Sequence, residues 1–343
     1  MAINMKDIAA ELGISISTVS RVLRNDPHVS QKTRNRVLSI AQSKNFTKKK
    51  AVKNRIIYLI DKYYFLDTSN FYNPLIDVIE NTARQQGYQF QFVTIESADS
   101  LLSKLDFSNV SGILVTSSFI EQLLPMIKML AIPVVFVDSY LPLENTSAVL
   151  VDNVCGIIKA VKYLSDKGHR DIGFLEGDLA DVDCIERLAG FKRALEMLKL
   201  PLTEAYILES KLSLSSSYQA MRGFLLESPV LPTAFIGVND LVTIGAMQAV
   251  RDYGMSVPDQ MSFIGFDDIS LAKEVTPSLT TVRVDMRAMG MLSVQRLVEL
   301  MNNKPVLFEK MIVNTSIVER NSVVAPRSGP RNKEVVDTII AQV

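Results

Sequence analysis

Residues 5–23, MKDIAAELGISISTVSRVL, contain two short amphipathic segments on either side of a glycine. The apolar residues of each segment recur at the spacing of one helical face: Met5, Ile8, Ala9 and Leu12 in the first, and Val19, Val22 and Leu23 in the second. Gly13 suits the left-handed turn that ends a helix, and Ala9 is small enough to let two helices cross closely. The stretch therefore predicts a helix-turn-helix.

A third amphipathic segment follows, over about residues 31–43, with Ser30 at its start. Val37, Ile40 and Ala41 are expected to face inward, while the basic residues face outward. Asn4 and Ser30 are suitable N-caps for the first and third helices. We expect residues 1–45 to form a three-helix head. The alternative at this point is a small scaffold whose surface is basic without binding anything.

The charge of the chain is unevenly distributed. Its 343 residues hold 37 Lys and Arg and 37 Asp and Glu, for a net charge of zero. Residues 1–55 nevertheless contain twelve Lys and Arg against three Asp and Glu, so the remainder is acidic. A basic head on an acidic body predicts that the head meets nucleic acid. Short hydroxyls on its second helix can approach phosphates, and Arg21 can reach a guanine edge.

Several classes of protein are disfavoured by what the sequence lacks. It has neither an apolar run approaching 18 residues nor an apolar leader, so we expect no membrane span and a cytoplasmic location. Cys155 and Cys184 form no CxxC pair, and His28 and His169 are isolated. With no GxGxxG or GxxxxGK loop either, we expect no cofactor, no metal site and no enzyme activity.

From residue 56 onward, short apolar runs alternate with longer helical patterns. Strands are predicted at 56–60, 90–95, 112–115, 134–137, 172–175, 234–238 and 262–266. Helices are predicted at 72–86, 100–105, 120–130, 153–167, 185–198 and 240–253. Alternation of this kind is typical of doubly wound parallel sheets. Because the pattern restarts after residue 151, we expect two α/β lobes with a ligand cleft at the carboxyl ends of their strands.

Polar residues follow these predicted strands. Thr116, Asp138, Asn239 and Asp267 each come directly after an apolar run. Their oxygens and amides suit the hydroxyls of a sugar, which both donate and accept hydrogen bonds. The alternative is that these residues are helix caps and turn formers, and for Asp240 we prefer a cap.

Motifs in both parts of the chain resemble the LacI/GalR family of bacterial transcription regulators. In the head they are Lys6-Asp-Ile-Ala9, Gly13-Ile-Ser15, Ser17-Thr-Val-Ser-Arg-Val-Leu23, Val29-Ser30 and Thr33-Arg34. In the body they include Val151-Asp-Asn153, Gly168-His-Arg170, Arg187-Leu-Ala-Gly-Phe191, Val238-Asn-Asp240, Ile264-Gly-Phe-Asp267, Pro277-Ser-Leu-Thr-Thr281 and Glu319-Arg320. The resemblance covers about residues 3–324.

The resemblance implies a periplasmic-binding-protein-like body at 56–324, with lobe 1 at about 56–151 and 283–313 and lobe 2 at about 152–282 and 314–324. It implies that the second helix enters the DNA major groove and that Ile16, Ser17 and Arg21 contact bases. The full expected DNA-binding set is Ser15, Ile16, Ser17, Thr18, Ser20, Arg21, Ser30, Thr33, Lys48, Lys49 and Lys50. The expected effector-binding set is Tyr72, Thr116, Asp138, Arg187, Asn239 and Asp267. Tyr72 aligns with an aromatic residue that stacks on the ligand, the alternative being a core aromatic.

Three segments depart from the family pattern. The linker 46–55 is short and lacks the family's Ala-Arg-Ser-Leu hinge, so we expect a basic tether rather than a hinge helix. The loop 178–186 has acids but no arginine, and we expect solvated surface acids there. The tail 325–343 has an apolar stripe barely longer than one heptad, too short to associate strongly alone.

Together these features predict a homodimeric DNA-binding transcription regulator, in particular a repressor. Its partners would be double-stranded operator DNA and a small-molecule effector, expected to be a neutral sugar. A sugar-binding protein without a regulatory role is the alternative, although such a protein would need an export signal.

Overall fold

The computed structural model describes residues 5–23, 26, 28–43, 54–98, 105–140, 146–302 and 308–326. The chain divides into two compact units, Met1–Lys53 and Asn54–Val343, which we call the head and the body. In the head, helices α1 (Met5–Leu12), α2 (Ile16–Leu23) and α3 (Gln31–Ser43) surround a small apolar core. Gly13 has a φ of +64°, so the predicted left-handed turn between α1 and α2 is confirmed.

The body contains two six-stranded sheets. In chain order, the first has β1 (Arg55–Asp61), β2 (Gln89–Ile95), β3 (Val110–Thr116), β4 (Val134–Val137), β5 (Ser147–Val151) and β11 (Lys310–Val313). The second has β6 (Ile172–Leu175), β7 (Ile207–Leu208), β8 (Ala234–Gly237), β9 (Ser262–Asp267), β10 (Thr280–Val284) and β12 (Thr315–Val318). Their spatial orders are β11-β5-β4-β3-β1-β2 and β12-β10-β9-β8-β6-β7.

Helices connect the strands of both sheets. They are α4 (Lys62–Gln85), α5 (Ile120–Leu130), α6 (Asn153–Asp166), α7 (Val182–Met197), α8 (Leu214–Glu227), α9 (Asp240–Asp252), α10 (Ser270–Glu274) and α11 (Met286–Met301). Every strand pairing is parallel except that of β10 with β12. The predicted architecture of two doubly wound lobes is confirmed. In both sheets the strand order reverses beside the first strand of the lobe, which is where such folds bind ligands.

The chain passes from the first sheet to the second after β5. It returns at α11, whose side chains contact the first sheet, and passes again between β11 and β12. The core is built from the alternating and continuous apolar runs of the strands, such as Ile56–Ile60, all of which are fully buried. Consequently both lobes present the carboxyl ends of their strands, with the polar residues that follow them, to the same cleft.

Some predicted elements differ from the observed ones. Helix α4 begins at Lys62, ten residues before the predicted start, and has Pro74 within it. Helix α7 begins at Val182 rather than at residue 185. The alternation pattern does not predict β5, α8 or α11. Several predictions lie outside the described residues: the predicted helix 100–105 except its last residue, the Asn4 cap, Lys48–Lys50, most of the linker, and all but the first residues of the tail.

Candidate DNA-binding face and ligand cavity

The start of α2 presents the predicted DNA-binding residues to solvent. Ser15 precedes the helix, and its Oγ accepts a hydrogen bond from the Thr18 backbone N–H at 3.1 Å. It also lies 2.7 Å from the Ser17 Oγ and 2.8 Å from the Thr18 Oγ1. These hydroxyls form a cluster at the helix N-terminus, where backbone N–H groups favour an anion such as a phosphate. Ser30 caps α3 in the same way, accepting from the Thr33 N–H at 3.3 Å.

Two larger side chains project from the same helix. Ile16 is 43% exposed, so it is not part of the apolar core of the head. The Arg21 side chain is 67% exposed, and its Nε is 3.9 Å from a carboxylate oxygen of Asp26, a distance at which the ion pair is weak. Ser15 and Ser17 are exposed, while Thr18, Ser20 and Thr33 are half-buried. This face therefore offers hydroxyls, an apolar contact and a guanidinium together.

A cavity lies in the body at the carboxyl ends of the strands. It encloses about 530 Å³ of empty space, a figure that includes space open to solvent. Its lining includes five of the six predicted effector-binding residues: Tyr72, Asp138, Arg187, Asn239 and Asp267. The other lining residues are Thr68, Asn70, Phe71, Asp181, Asp183, Cys184, Leu212, Leu241 and Ile269.

Asp138 is the central acidic residue on the side of the first lobe. It follows β4 and is 7% exposed. Its Oδ2 accepts a hydrogen bond from the Tyr72 hydroxyl at 2.8 Å, while its Oδ1 has no hydrogen-bond partner among the described residues. Burial raises the pKa of Asp138 to about 6, although the Tyr72 hydrogen bond and Arg187 oppose the change. Tyr72 is 1% exposed, and its ring packs in the apolar core. Its hydroxyl is the part that reaches Asp138.

Arg187 is the centre of a buried network in the second lobe. Its Nε donates to the Asn153 Oδ1 at 2.8 Å, and its Nη1 donates to the Val238 carbonyl at 2.8 Å. Its guanidinium carbon lies 3.9 Å from the centre of the Phe266 ring, a cation–π arrangement. Burial disfavours the charge, but the carboxylates of Asp267 and Asp183 outweigh burial and raise the pKa of Arg187.

Asp267 is the last residue of β9 and completes the network. Its Oδ1 lies 3.4 Å from the Arg187 Nη2 but has no hydrogen-bond partner among the described residues. Burial raises the pKa of Asp267 to about 7, since the pairing with Arg187 offsets burial only in part. Asp183 accepts a hydrogen bond from the Asn153 Nδ2 at 2.8 Å. Burial and then the nearby Asp138 raise the pKa of Asp183 well above its usual range.

Three expectations about this region are wrong. Thr116 does not line the cavity: it is fully buried, bonded to the Val137 carbonyl and the Tyr58 hydroxyl. Asp240 is not the cap of its helix, because its carboxylate accepts from the Ile269 N–H and from Thr281 instead. Asn239 is that cap, accepting from the Val242 N–H at 2.9 Å, and it lines the cavity as well.

The third wrong expectation concerns the acids of loop 178–186. Asp181 and Asp183 line the cavity rather than facing solvent, and only Asp178 is exposed among the three aspartates of the loop. The signal that locates them is present in the sequence. The loop follows the apolar run 172–175, so it leaves a strand at the same edge as the other strand-end residues. Asp181 then caps α7, accepting from the Asp183 N–H at 2.8 Å.

No group of three or more His, Cys, Asp and Glu in the described ranges is arranged to hold a metal ion. Across that same part of the chain, none of the helices is long and apolar enough to cross a membrane. Cys184 is buried against the cavity, and burial raises the pKa of its thiol.

A helix-turn-helix head joined to a two-lobed ligand-binding body defines a class of protein: a DNA-binding transcription regulator controlled by a small molecule. Family models agree with both parts. The model for bacterial regulatory proteins of the lacI family matches residues 4–49. The model for the periplasmic binding protein-like domain matches residues 161–323. Residues 4–49 therefore match the DNA-binding part of lacI-family regulators, and residues 161–323 match a periplasmic binding protein-like domain.

Known relatives are similar over nearly the whole chain. The HTH-type transcriptional repressor PurR of Escherichia coli O139:H28 is 29% identical over 329 residues, which cover 93% of this chain and 96% of the relative. The probable HTH-type transcriptional repressor ExuR of Bacillus subtilis strain 168 is also 29% identical over 329 residues, covering 94% and 98%. Both relatives are named as repressors, the second as a probable one, and nothing in these comparisons supports a solute-binding protein without a regulatory role.

Solved structures show the same architecture. The lac repressor dimer bound to operator and the anti-inducer ONPF has a TM-score of 0.69 at 26% identity, covering 95% of this chain and all of that chain. The transcriptional regulator CelR in complex with cellobiose has a TM-score of 0.73, covering 94% and all of that chain. At 24% identity, the latter likeness shows the fold alone.

Proposed function

We propose that this protein is a homodimeric repressor that binds a palindromic operator through α2 and releases or tightens that contact when a sugar-class molecule enters the body cleft. The observation that supports this most directly is the cavity, because it receives side chains from both lobes. Tyr72 and Asp138 belong to the first, and Arg187, Asn239 and Asp267 to the second. A ligand that contacts both sets prefers one lobe geometry, and its differential affinity for the two geometries sets the size of the response.

The chemistry of the cavity favours a polyhydroxylated ligand without a phosphate. Sugar hydroxyls donate to carboxylates such as Asp138, whose Oδ1 lacks a partner among the described residues. Arg187 is the cation among the lining residues, and its nitrogen atoms already face protein oxygens. A phosphate would therefore meet several carboxylates without a compensating cation.

In the head, Arg21 is assigned to base contact and Lys48, Lys49 and Lys50 to phosphate contact. Base contacts distinguish sequences, whereas phosphate contacts bind all DNA and depend on salt. Once an operator has been selected from random duplexes, Arg21→Ala should weaken operator binding by about 1–3 kcal/mol and hardly affect random DNA. Gel shifts at several salt concentrations measure both affinities.

Neutralising Lys48, Lys49 and Lys50 together is the matched control for that experiment. It should weaken binding to both DNAs and reduce the dependence of affinity on salt. Equal losses on operator and random DNA for Arg21→Ala would show that Arg21 contacts the backbone instead. Failure to select any preferred duplex would contradict the repressor assignment itself.

A further inference from the structure

The cavity presents more negative charge than its own cation balances. Four carboxylates line it, those of Asp138, Asp181, Asp183 and Asp267, and Arg187 is the single lining cation in the described part of the chain. Glu186 stands directly behind them and accepts from the Tyr140 hydroxyl and the Asn153 Nδ2, each at 3.0 Å. Carboxylates collected in a partly desolvated site repel one another unless a proton or a cation joins them.

Arg187 is committed to the protein. Its Nε and Nη1 are used by Asn153 and the Val238 carbonyl, and its Nη2 lies nearest to Asp267. Phe266 covers one face of the guanidinium at 3.9 Å. Reorienting Arg187 toward a ligand would break these buried hydrogen bonds, so it does not serve as a clamp for an anion.

A carboxylate oxygen in the cavity is left for a ligand. Asp138 is 93% buried, lines the cavity, and has one oxygen bonded to Tyr72 and the other without a partner in the described chain. The Oδ1 of Asp267 has only the 3.4 Å ion pair. A buried carboxylate oxygen without a hydrogen-bond donor destabilises the fold. A positively charged donor forms the strongest hydrogen bond to it.

We propose that the effector bears a protonated amine, on a frame of the amino-sugar kind, and that its ammonium group lies between Asp138 of the first lobe and Asp267 of the second. This inference rests on the proposed function and narrows the ligand from sugars in general to amine-bearing ones. An ammonium donates three hydrogen bonds and carries the charge that the cavity lacks. Contact with both aspartates would also hold the two lobes together.

The rest of the lining suits an organic amine better than a bare cation. Phe71, Leu212, Leu241 and Ile269 provide apolar surface for the carbon skeleton of a ring. Asn70 and Asn239 provide amides for hydroxyls, although the Asn239 Oδ1 already accepts from Val242. The carboxylates are not arranged as a metal site within the described residues.

Binding of a cation should displace protons from this cluster. Without a ligand, burial keeps the pKa of Asp138 at about 6 and that of Asp267 at about 7. The charged groups facing them are Asp181, Asp183, Glu186 and Arg187 at the start of α7, with the Tyr72 hydroxyl on α4. Asp240 lies behind Asp267. An ammonium favours the ionised carboxylates, so affinity for the amine should rise between pH 5.5 and pH 7.

The experiment compares amines with their hydroxyl parents on the full-length protein. Thermal shift and calorimetry would be run with D-glucosamine and D-galactosamine, and with D-glucose, D-galactose and the N-acetylated sugars as neutral controls. We expect at least one amine to bind about tenfold or more tightly than its parent. Calorimetry in buffers of different ionisation enthalpy should show proton release at pH 6.5.

Variants test the position of the ammonium. Asp138→Asn keeps an acceptor for Tyr72 but removes the charge, and should weaken amine binding by about 10- to 150-fold, a larger loss than for the neutral parent sugar, which keeps an amide acceptor at this position. Asp267→Asn is the second variant, in case the first does not fold. Asp178→Asn is the matched control, because Asp178 is on the same acidic loop but is exposed and outside the cavity lining.

The outcomes separate this inference from the proposed function. A neutral parent that binds as tightly as its amine, or a panel in which no amine binds, overturns the amine assignment. If a neutral sugar binds and changes the affinity for the operator, the amine assignment is wrong but the proposed function as an effector-controlled repressor is supported. Loss of amine binding in Asp178→Asn equal to that in Asp138→Asn would place the amine outside the cavity.

Discussion

Two aspartates of the cavity combine backbone strain with unfavourable burial. Asp138 has a φ of +53° and Asp267 a φ of +104°, conformations that side-chain-bearing residues rarely adopt. Both carboxylates are also held in an environment that raises their pKa. Residues that destabilise the fold, whether through backbone strain or through burial of a charge, are found mostly at functional sites. This is the residue-scale argument that the cavity is a binding site rather than a packing defect.

The raised pKa of Asp138 predicts how stability depends on pH. Because the folded pKa of about 6 exceeds the ordinary value near 4, the protonated carboxyl stabilises the fold at low pH. That contribution is lost as pH rises through about 6. Without effector, the melting temperature of wild type should therefore fall from pH 5 to pH 8 more than that of Asp138→Asn. The variant should be more stable at pH 8, by about 1–3 kcal/mol. Identical pH profiles would contradict this.

At the scale of elements, the turn between α1 and α2 determines how the DNA-binding helix is presented. Gly13 has a φ of +64°, and a Cβ added there would meet no atom within 4 Å. Space is therefore available for a side chain, and the requirement for glycine comes from the backbone conformation alone. The conformation places Ser15 where it caps α2.

Substitutions at Gly13 separate these two causes. Gly13→Ala should destabilise the head by about 1–2 kcal/mol, the cost of a left-handed conformation for an ordinary residue. Gly13→Asn should cost less, since asparagine tolerates that conformation. Native-state hydrogen exchange of α1 and α2 amides in the full-length protein measures the difference. A larger loss for asparagine than for alanine would indicate a steric cause instead.

Helix α7 shows how one element can assemble a site. Asp181 caps it, Asp183 is in its first turn, and Glu186 and Arg187 follow one turn later. The helix starts at Val182, earlier than predicted, and this brings its first turn to the cavity. Glu186 also accepts from Tyr140 of the first lobe, so α7 connects the two lobes directly.

At the scale of the whole molecule, the head and the body are separate compact units, and operator recognition needs two heads at a fixed spacing. We expect the body to provide the dimer interface, because a short tail cannot associate strongly alone. Deleting residues 328–343 should therefore leave a dimer by analytical ultracentrifugation. A monomer after this deletion would assign dimerisation to the tail.

The sequence by itself determined the head, the class of the body and most strand-end residues. Helical spacing around Gly13 and the regular alternation of apolar runs are local patterns, and local patterns are visible along the chain. The position of Asp138 and Asp267 at the cleft follows from the same logic, since the carboxyl ends of parallel strands meet at one edge.

Tertiary structure decided which of these side chains share the cavity. Thr116 is the last residue of β3, yet its side chain is fully buried and bonds to Tyr58 and Val137 of the neighbouring strands instead of reaching the cavity. Asp183 belongs to an acidic segment that the sequence pattern assigns to solvent, yet it is in the first turn of α7, lines the cavity, and accepts a hydrogen bond from Asn153, 30 residues earlier. Burial and pKa depend on atoms that are distant in sequence. The number of carboxylates that share the cavity with Arg187 is therefore visible only in the folded structure, where residues of both lobes come together.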